Sequence, residues 1–293
     1  MIFAAGLGTR LKPMTDTMPK ALVPVGGKPL LDIVLERLHQ QGYNRFVVNV
    51  HHFAQQIIDH IKAPLSSPEG DTNVLLGNET LSGALGGASP QVLISDESDK
   101  LLDTGGGLKK AAPLFSDDEP ILIHNVDILD NVDYNWFRRQ HEDDEDAVLL
   151  VSRRKTKRYL LFDSAMRLMG WVNLESGEVK SPFPWLRKGN LTPDPSTKGG
   201  ESDFPAFVTL HPSPLEEGAG LRLYLFAFSG IHSFSPRLFP LMERFPDKFS
   251  IIDFYLSVCH RSRIFGCVKP DLQVLDVGKL DALDKAEEFI KTL

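Results

Sequence analysis

Along the first half of the chain, hydrophobic positions gather into short continuous runs separated by stretches of helical spacing. Apolar residues at 30, 31, 34, 35 and 38 recur every three or four positions, which predicts a helix over 29–41 with Gly42 as its closing glycine. The runs RFVVNV (45–50), PILIHNV (120–126) and AVLLVS (147–152) are apolar without alternation, as strands buried on both faces are. Shorter strands are predicted at 2–5 and 92–95. Helices are predicted at 55–61, at 107–115 after a triple glycine, and at 134–142. Strands alternating with helices predict an α/β fold with a mixed, mostly parallel, Rossmann-like sheet flanked by helices.

The pattern changes after residue 152. YLLFD (159–163) and LMGWVN (168–173) read as a hairpin in a small β region, and 223–233 as one long strand or a strand pair. Residues 176–220 are rich in Pro, Gly and Ser and show no period, which predicts a long flexible insertion. Helices at 236–244 and 251–259, strands at 264–268 and 273–277, and a last helix at 280–293 complete the chain. The expected organisation is a single domain over 1–293, with one half at 1–152 and the other at 153–293.

Length and charge narrow the functional classes. The chain has 293 residues, 42% of them hydrophobic, enough for a sizeable core. Its net charge of −7 disfavours a nucleic-acid backbone as partner. No apolar run approaches the roughly 20 residues of a membrane helix, and no basic leader precedes the first strand. Cys259 and Cys267 fit neither a disulfide framework nor a zinc spacing, so two reduced thiols and a cytoplasmic location are expected. The runs HEDDED (141–146) and RRKTKR (153–158) read first as solvated turn ends, and the basic one second as reaching a phosphate. His51 and His52, if on one strand, point to opposite faces and do not share a metal.

Candidate chemistry begins at MIFAAGLGTRLKP. An apolar run breaking into Gly6, Leu7, Gly8 and Thr9 presents backbone N–H groups at a strand end, where an anion is favoured. A Walker A loop fails, because Leu11 stands where its second glycine belongs. The dinucleotide fingerprint lacks its third glycine for the same reason, which disfavours an oxidoreductase. What remains is a loop with its own cations. Arg10 offers a planar fork to phosphate oxygens, and Lys20, after Pro19, a compact point charge.

The segment GLGTRLKPMTDTMPKALVPVGGKP resembles the signature of the sugar-1-phosphate nucleotidyltransferases at nearly every fixed position. LDTGGGLKKA (102–111) resembles that family's second nucleotide-contacting loop, in the triple-glycine form of muramate-1-phosphate uridylyltransferases. HNVD (124–127), FSGIH (228–232) and LDVGK (275–279) resemble, in order, its metal-aspartate segment, its sugar-side strand and its second metal aspartate. Val126 departs from a usual glycine and Lys279 from a common threonine, without loss of a carboxylate. The chain starts two or three residues short of the family's usual start, and no hexapeptide repeats follow.

The resemblance implies that an NTP and a sugar 1-phosphate are joined with release of pyrophosphate. It implies catalytic roles for Arg10 and Lys20, and nucleotide or phosphate binding by residues 6–9, Thr104, Gly105 and Gly106. Sugar contacts fall to Asn125, Asn173 and Gly230, and Mg²⁺ ligation to Asp127 and Asp276. No nucleic acid or membrane partner is implied, and oligomeric state is left open. UTP with N-acetylmuramate 1-phosphate is the preferred substrate pair, and mannose 1-phosphate with GTP the alternative. A non-catalytic nucleotide-sugar sensor is a third reading; it would be expected to lack one of Arg10, Lys20, Asp127 and Asp276, and all four are present.

Overall fold

The computed structural model describes residues 1–62, 75–76, 90–116, 119–188, 190–193, 207–211 and 221–293. A parallel core forms from β1 (Ile2–Phe3), β2 (Arg45–Val50), β3 (Gln91–Asp96) and β4 (Ile121–Asn125), in the order β4-β1-β2-β3. Between them run α1 (Leu30–Gln40), α2 (Ala54–Lys62) and α3 (Asp103–Ala111). After β4 come β5 (Ile128–Asp130), α4 (Tyr134–Arg138) and β6 (Ala147–Ser152). They are followed by the hairpin β7 (Arg158–Phe162) and β8 (Leu168–Asn173). One long strand, β9 (Leu221–Phe234), runs antiparallel to β4, β6 and β7 and so joins the parallel core to the β-rich side. The chain closes with α5 (Ile251–Val258), β10 (Ile264–Val268, parallel to β6), β11 (Val274–Asp276) and α6 (Leu283–Ile290).

The apolar runs explain the layers. Along β1, Ile2 faces a cluster with Leu31, Val34, Leu35 and Leu38 of α1 and Ile57 and Ile61 of α2. Phe3 faces the opposite cluster with Leu108 of α3 and Phe254, Tyr255 and Val258 of α5. Helices thus cover both faces, which is why the strands carry no polar alternation. α1 ends as its sequence predicts. Gly42, at φ 93°, donates its N–H to His39 O (2.9 Å), and Tyr43 donates to Leu38 O (3.1 Å), the two bonds of a Schellman motif.

Two sequence expectations are corrected. The triple glycine is not a loop before a helix: α3 starts at Asp103 and contains Gly105, Gly106 and Gly107. Glycine is a poor helix former, but here the helix presses on its neighbours. A Cβ on Gly106 would collide with Asp247 O, one on Gly105 with the Phe249 ring, and one on Gly107 would lie 2.6 Å from Glu97 Oε1. We expect Gly106→Ala to destabilise the protein by about 1–3 kcal/mol through overpacking, read as a lower urea midpoint; an unchanged midpoint would refute this packing account. Second, 176–220 is not one structureless loop. Val179–Lys180 extends the β8 edge, Pro184–Lys188 is a short helix, and Asn190–Pro193 pairs with Phe207–His211, which itself pairs with β9. The edge of β9 supplies backbone partners that composition does not reveal. The rest of that stretch lies outside the described residues.

His232 of β9 is 1% exposed and neither ring nitrogen has a partner among the described residues. The ring sits 5.6 Å from that of Tyr255 and 5.5 Å from that of Phe228. Burial first, then the nearby amino terminus and His124, push its pKa down to about 3. The unfolded chain therefore binds a proton below the ordinary histidine value of 6.5 that the folded chain refuses down to about 3. Stability should fall across that window as pH falls, with a slope of up to ~1.4 kcal/mol per pH unit from this group. Urea midpoints from pH 7 to pH 4 test this: His232→Phe should flatten the decline relative to wild type, and parallel curves would refute it.

Cys259 and Cys267 are free and buried, and burial pushes both thiols up to about 12, so neither is a reactive thiolate. Among the described residues no helix is long and apolar enough to cross a membrane.

Candidate active site

β1 delivers the chain to the carboxyl edge of the sheet, where α/β folds place their ligands. Gly8, at φ 64°, turns it there. Its carbonyl accepts from Leu11 N (2.8 Å) and Thr15 Oγ1 (2.8 Å), and a Cβ at Gly8 would lie 2.8 Å from Thr15 Cγ2 and 3.1 Å from Lys20 Cβ. Glycine is therefore required twice, for the backbone conformation and for the close approach. Leu11, which breaks both alternative loop motifs, is fully buried against Val23, Leu30, Leu129 and Val277 and anchors the loop. Among the described residues, the N–H groups of Gly6, Leu7, Gly8 and Thr9 have no protein acceptor. They are available to an anion.

The two aspartates, 149 positions apart in sequence, meet through the antiparallel pair β5–β11. Asp276 lies opposite Ile128, and Val277 N donates to Asp127 O (2.8 Å). Each carboxylate faces one predicted cation. Lys20 Nζ is paired with Asp127 Oδ2, with both side chains largely buried. Arg10 Nη2 lies 3.5 Å from Asp276 Oδ2, with both half-exposed, and Gly278 N (2.8 Å) holds the other Asp276 oxygen. The exposed pair is worth little to stability, so its charges can be exchanged for a ligand's. Among the described residues no group of three or more His, Cys, Asp or Glu gathers as a metal cage. Mg²⁺ commonly takes one or two carboxylates and completes its shell with substrate phosphates and water, and this pair of hard oxygen donors fits that demand.

A cleft of about 380 Å³ lies beside the loop, lined in part by Gly6, Asn49, Glu97, Thr104, Asn125 and Asp127. Asn49 fixes its floor: its Oδ1 accepts from Ala4 N (2.8 Å) and its Nδ2 donates to Glu97 Oε1 (2.7 Å). Glu97 is fully buried; burial raises its carboxyl pKa, and the bond from Asn49 opposes the rise. His51 Nδ1 contacts Glu97 O (2.6 Å). Asn49, Glu97 and Lys248, which also lines the cleft, carry no sequence signal of their own.

The predicted second nucleotide loop behaves differently. Gly105 N and Gly106 N both donate to Phe249 O (2.9 and 3.2 Å), and Thr104 Oγ1 accepts from Ile251 N (3.0 Å). The two glycine amides are thus committed to packing α3 on α5, while Thr104 still lines the cleft. Asn125 and Gly230 do come together. β9 bulges between Phe228 and His232, Gly230 takes φ 84°, and a Cβ there would lie 2.7 Å from Asn125 Nδ2. Asn173 closes a turn instead, its Oδ1 accepting from Glu175 N (3.0 Å), and does not line the cleft. A neighbouring hollow of about 420 Å³ is lined by Trp171, Tyr159, Phe228, Arg154 and Arg158, among others. Lys180 Nζ lies 5.3 Å from the Trp171 ring and 3.1 Å from Asp253 Oδ1.

The sequence profile described as nucleotidyl transferase matches residues 1–159, more than half of the chain. The chain belongs to the nucleotidyl transferase family. Similar members of known name include the N-acetylmuramate alpha-1-phosphate uridylyltransferase of Caulobacter vibrioides, 39% identical over 44% of this chain and 45% of that protein. The protein of the same name from Neisseria meningitidis is 35% identical over 46% and 48%. The chain thus spans about half the length of the curated relatives it matches. Among solved structures, the inositol-1-phosphate CTP transferase from T. maritima superposes with a TM-score of 0.62 at 14% identity, over 99% of this chain and 93% of that one. HddC from Yersinia pseudotuberculosis, complexed with GMP-PN, gives 0.56 at 22% identity over 99% and 97%. These likenesses establish the nucleotide-diphospho-sugar transferase fold of this nucleotidyl transferase.

Proposed function

We propose that the chain is a cytoplasmic enzyme that joins an NTP to a sugar 1-phosphate, making an NDP-sugar and pyrophosphate. The observation that supports this best is the set at the edge of β1: four N–H groups at residues 6–9 without an acceptor among the described residues, flanked by the Lys20–Asp127 and Arg10–Asp276 pairs. The substrate's own phosphate oxygen is the nucleophile, attacking the α-phosphorus as the bond to pyrophosphate breaks. The protein holds two mutually repelling anions in line and offsets the charge that develops. Residues 6–9 cradle the triphosphate through their amides, Arg10 holds the departing pyrophosphate oxygens, and Lys20 stands between the α-phosphate and the incoming phosphate. Asp127 and Asp276 would hold Mg²⁺, whose charge supports the phosphoryl oxygens. Binding then exchanges partners: each cation passes from its carboxylate to phosphate.

UTP and N-acetylmuramate 1-phosphate are the substrates we favour. The uridylyltransferases of that name are among the relatives, and the triple glycine resembles the form expected of them. N-acetylmuramate also carries a carboxylate, and Arg154 and Arg158 of the neighbouring hollow have the sign to receive it. Pyrophosphate release with Mg²⁺, over a grid of UTP, GTP, dTTP, CTP and ATP against N-acetylmuramate, mannose, glucose and N-acetylglucosamine 1-phosphates, tests this. One strongly active cell at UTP and N-acetylmuramate, abolished by Asp127→Asn, is the expected result. A dominant cell elsewhere refutes the substrate, and a blank grid with folded protein refutes the activity on these sugars.

A further inference from the structure

The sheet edge that bears the candidate site bears a second, larger hollow. β9 runs against both β4 and β6, so β6 and β10 point the same way as β1 and β4, and their carboxyl ends open on the same edge. Beyond them lies a hollow of about 720 Å³, within the size range of ligand pockets. Four cations line it from three separate segments: Arg153 and Arg154 after β6, Lys269 after β10, and Lys285 on α6. No carboxylate lines it among the described residues. Lys269 is paired with Asp271 and Arg154 Nη2 donates to Phe228 O (3.1 Å), but Arg153 and Lys285 have no ion pair among the described residues. Like charges gathered with too few counter-charges repel one another, and an anion between them relieves that cost.

A second observation points to a ligand. Ser152 lines the hollow, is 7% exposed, and its Oγ has no hydrogen-bond partner among the described residues. A buried hydroxyl left unpaired costs free energy unless something reaches it. One wall is apolar, formed by Val274 and Leu275 of β11 with Phe289 of α6. Of the cations, only Arg154 also lines the hollow beside the candidate active site.

We propose that this hollow is a second anion site, which takes a diphosphate-bearing ligand with its phosphates on Arg153 and Lys285, beside the unpaired Ser152. The diphosphate is either free or carried by a nucleoside packed on the apolar wall. Isothermal titration of the full chain with inorganic pyrophosphate and, separately, with UDP distinguishes the two sources. Arg153→Ala/Lys285→Ala should bind one equivalent fewer of the better probe than wild type, with turnover and melting temperature unchanged, since both side chains are exposed. Lys285→Glu should lose the same equivalent by reversing a charge. Tighter binding of UDP at this site assigns the nucleoside to the apolar wall, and tighter pyrophosphate binding assigns the free anion. If neither variant loses an equivalent of either probe, the proposal is overturned. Failure of the active-site reading is separate: it would remove the equivalent sensitive to Lys20→Ala and leave this one.

Discussion

Lys20→Ala lowers kcat/KM by on the order of 100-fold or more, with the fold retained, if Lys20 stabilises charge at the transferring phosphate. The expectation rests on position. Lys20 packs its Cβ behind Gly8 and its ammonium is held by Asp127, beside the loop whose amides at residues 6–9 have no acceptor among the described residues. It is largely buried against Asp127, where a charge interaction is screened less than at the surface. Alanine removes the cation and leaves the Asp127 carboxylate without its partner, so two effects add: weaker charge stabilisation and a disturbed metal-ligand candidate. Lys20→Arg separates them, because it restores charge but not the compact geometry. A partial recovery is expected, larger in KM than in kcat. Steady-state kinetics on the active substrate pair is the measurement, with a thermal melt as the control for folding. Turnover within a few-fold of wild type for Lys20→Ala would remove Lys20 from the mechanism.

The parts of this site differ in how far the sequence reveals them. Strands with continuous apolar runs were legible to the residue, as at Arg45–Val50, Ala147–Ser152 and Ile264–Val268, because burial on both faces leaves a pattern that no surface element shares. The loop at Gly8 was legible because a left-handed turn against Thr15 and Lys20 admits only glycine. The glycines of α3 misled for the opposite reason. Local propensity reads three glycines as loop, while the reason for them lies in the carbonyl of Asp247 and the ring of Phe249, more than a hundred positions away. β11 falls inside the strand read at 273–277, but β5 escaped pattern reading, since a strand of three residues carries no period, and their pairing went unread with it. Only the family resemblance set Asp127 beside Asp276. Glu97 and Asn49 left no signal, because a buried polar pair looks in sequence like any exposed one. Asn173 shows the ambiguity of residue type: one suited to binding a sugar is equally suited to closing a turn, as it does here.

Asp130→Ala costs about 3–5 kcal/mol of stability, the range for removing one partner from a buried charged network. Asp130, 1% exposed on β5, is the hub of that network. Tyr134 Oη donates to its Oδ2 (2.7 Å), His124 Nε2 lies 3.1 Å from the same oxygen, and Val132 N donates to Oδ1 (2.8 Å). Arg37 Nη2 stands 3.7 Å from Oδ1 while donating to Val132 O (2.9 Å). Burial alone would raise the carboxyl pKa, but the bonds from His124, Tyr134 and Val132 together hold it below its ordinary value, so the carboxylate is the stable form. Burial and the Asp130 charge raise the Tyr134 phenol, which therefore stays protonated and able to donate. A carboxyl depressed in the folded state contributes stability above its unfolded value of 3.8, and that contribution is lost as pH falls through the lower folded one. At neutral pH alanine strands a phenol, an imidazole and a guanidinium at once. Asp130→Asn keeps acceptors for two of the donors and should cost less. Asp130 also lies opposite Val274 in the short ladder that sets Asp276 beside Asp127, so loosening it should lower turnover before it unfolds the chain. Urea denaturation gives the stability and initial rates below the transition give the turnover. A loss under 1 kcal/mol for alanine would mean that the network is not coupled to folding, and full turnover in a destabilised variant would mean that the ladder holds Asp276 without it.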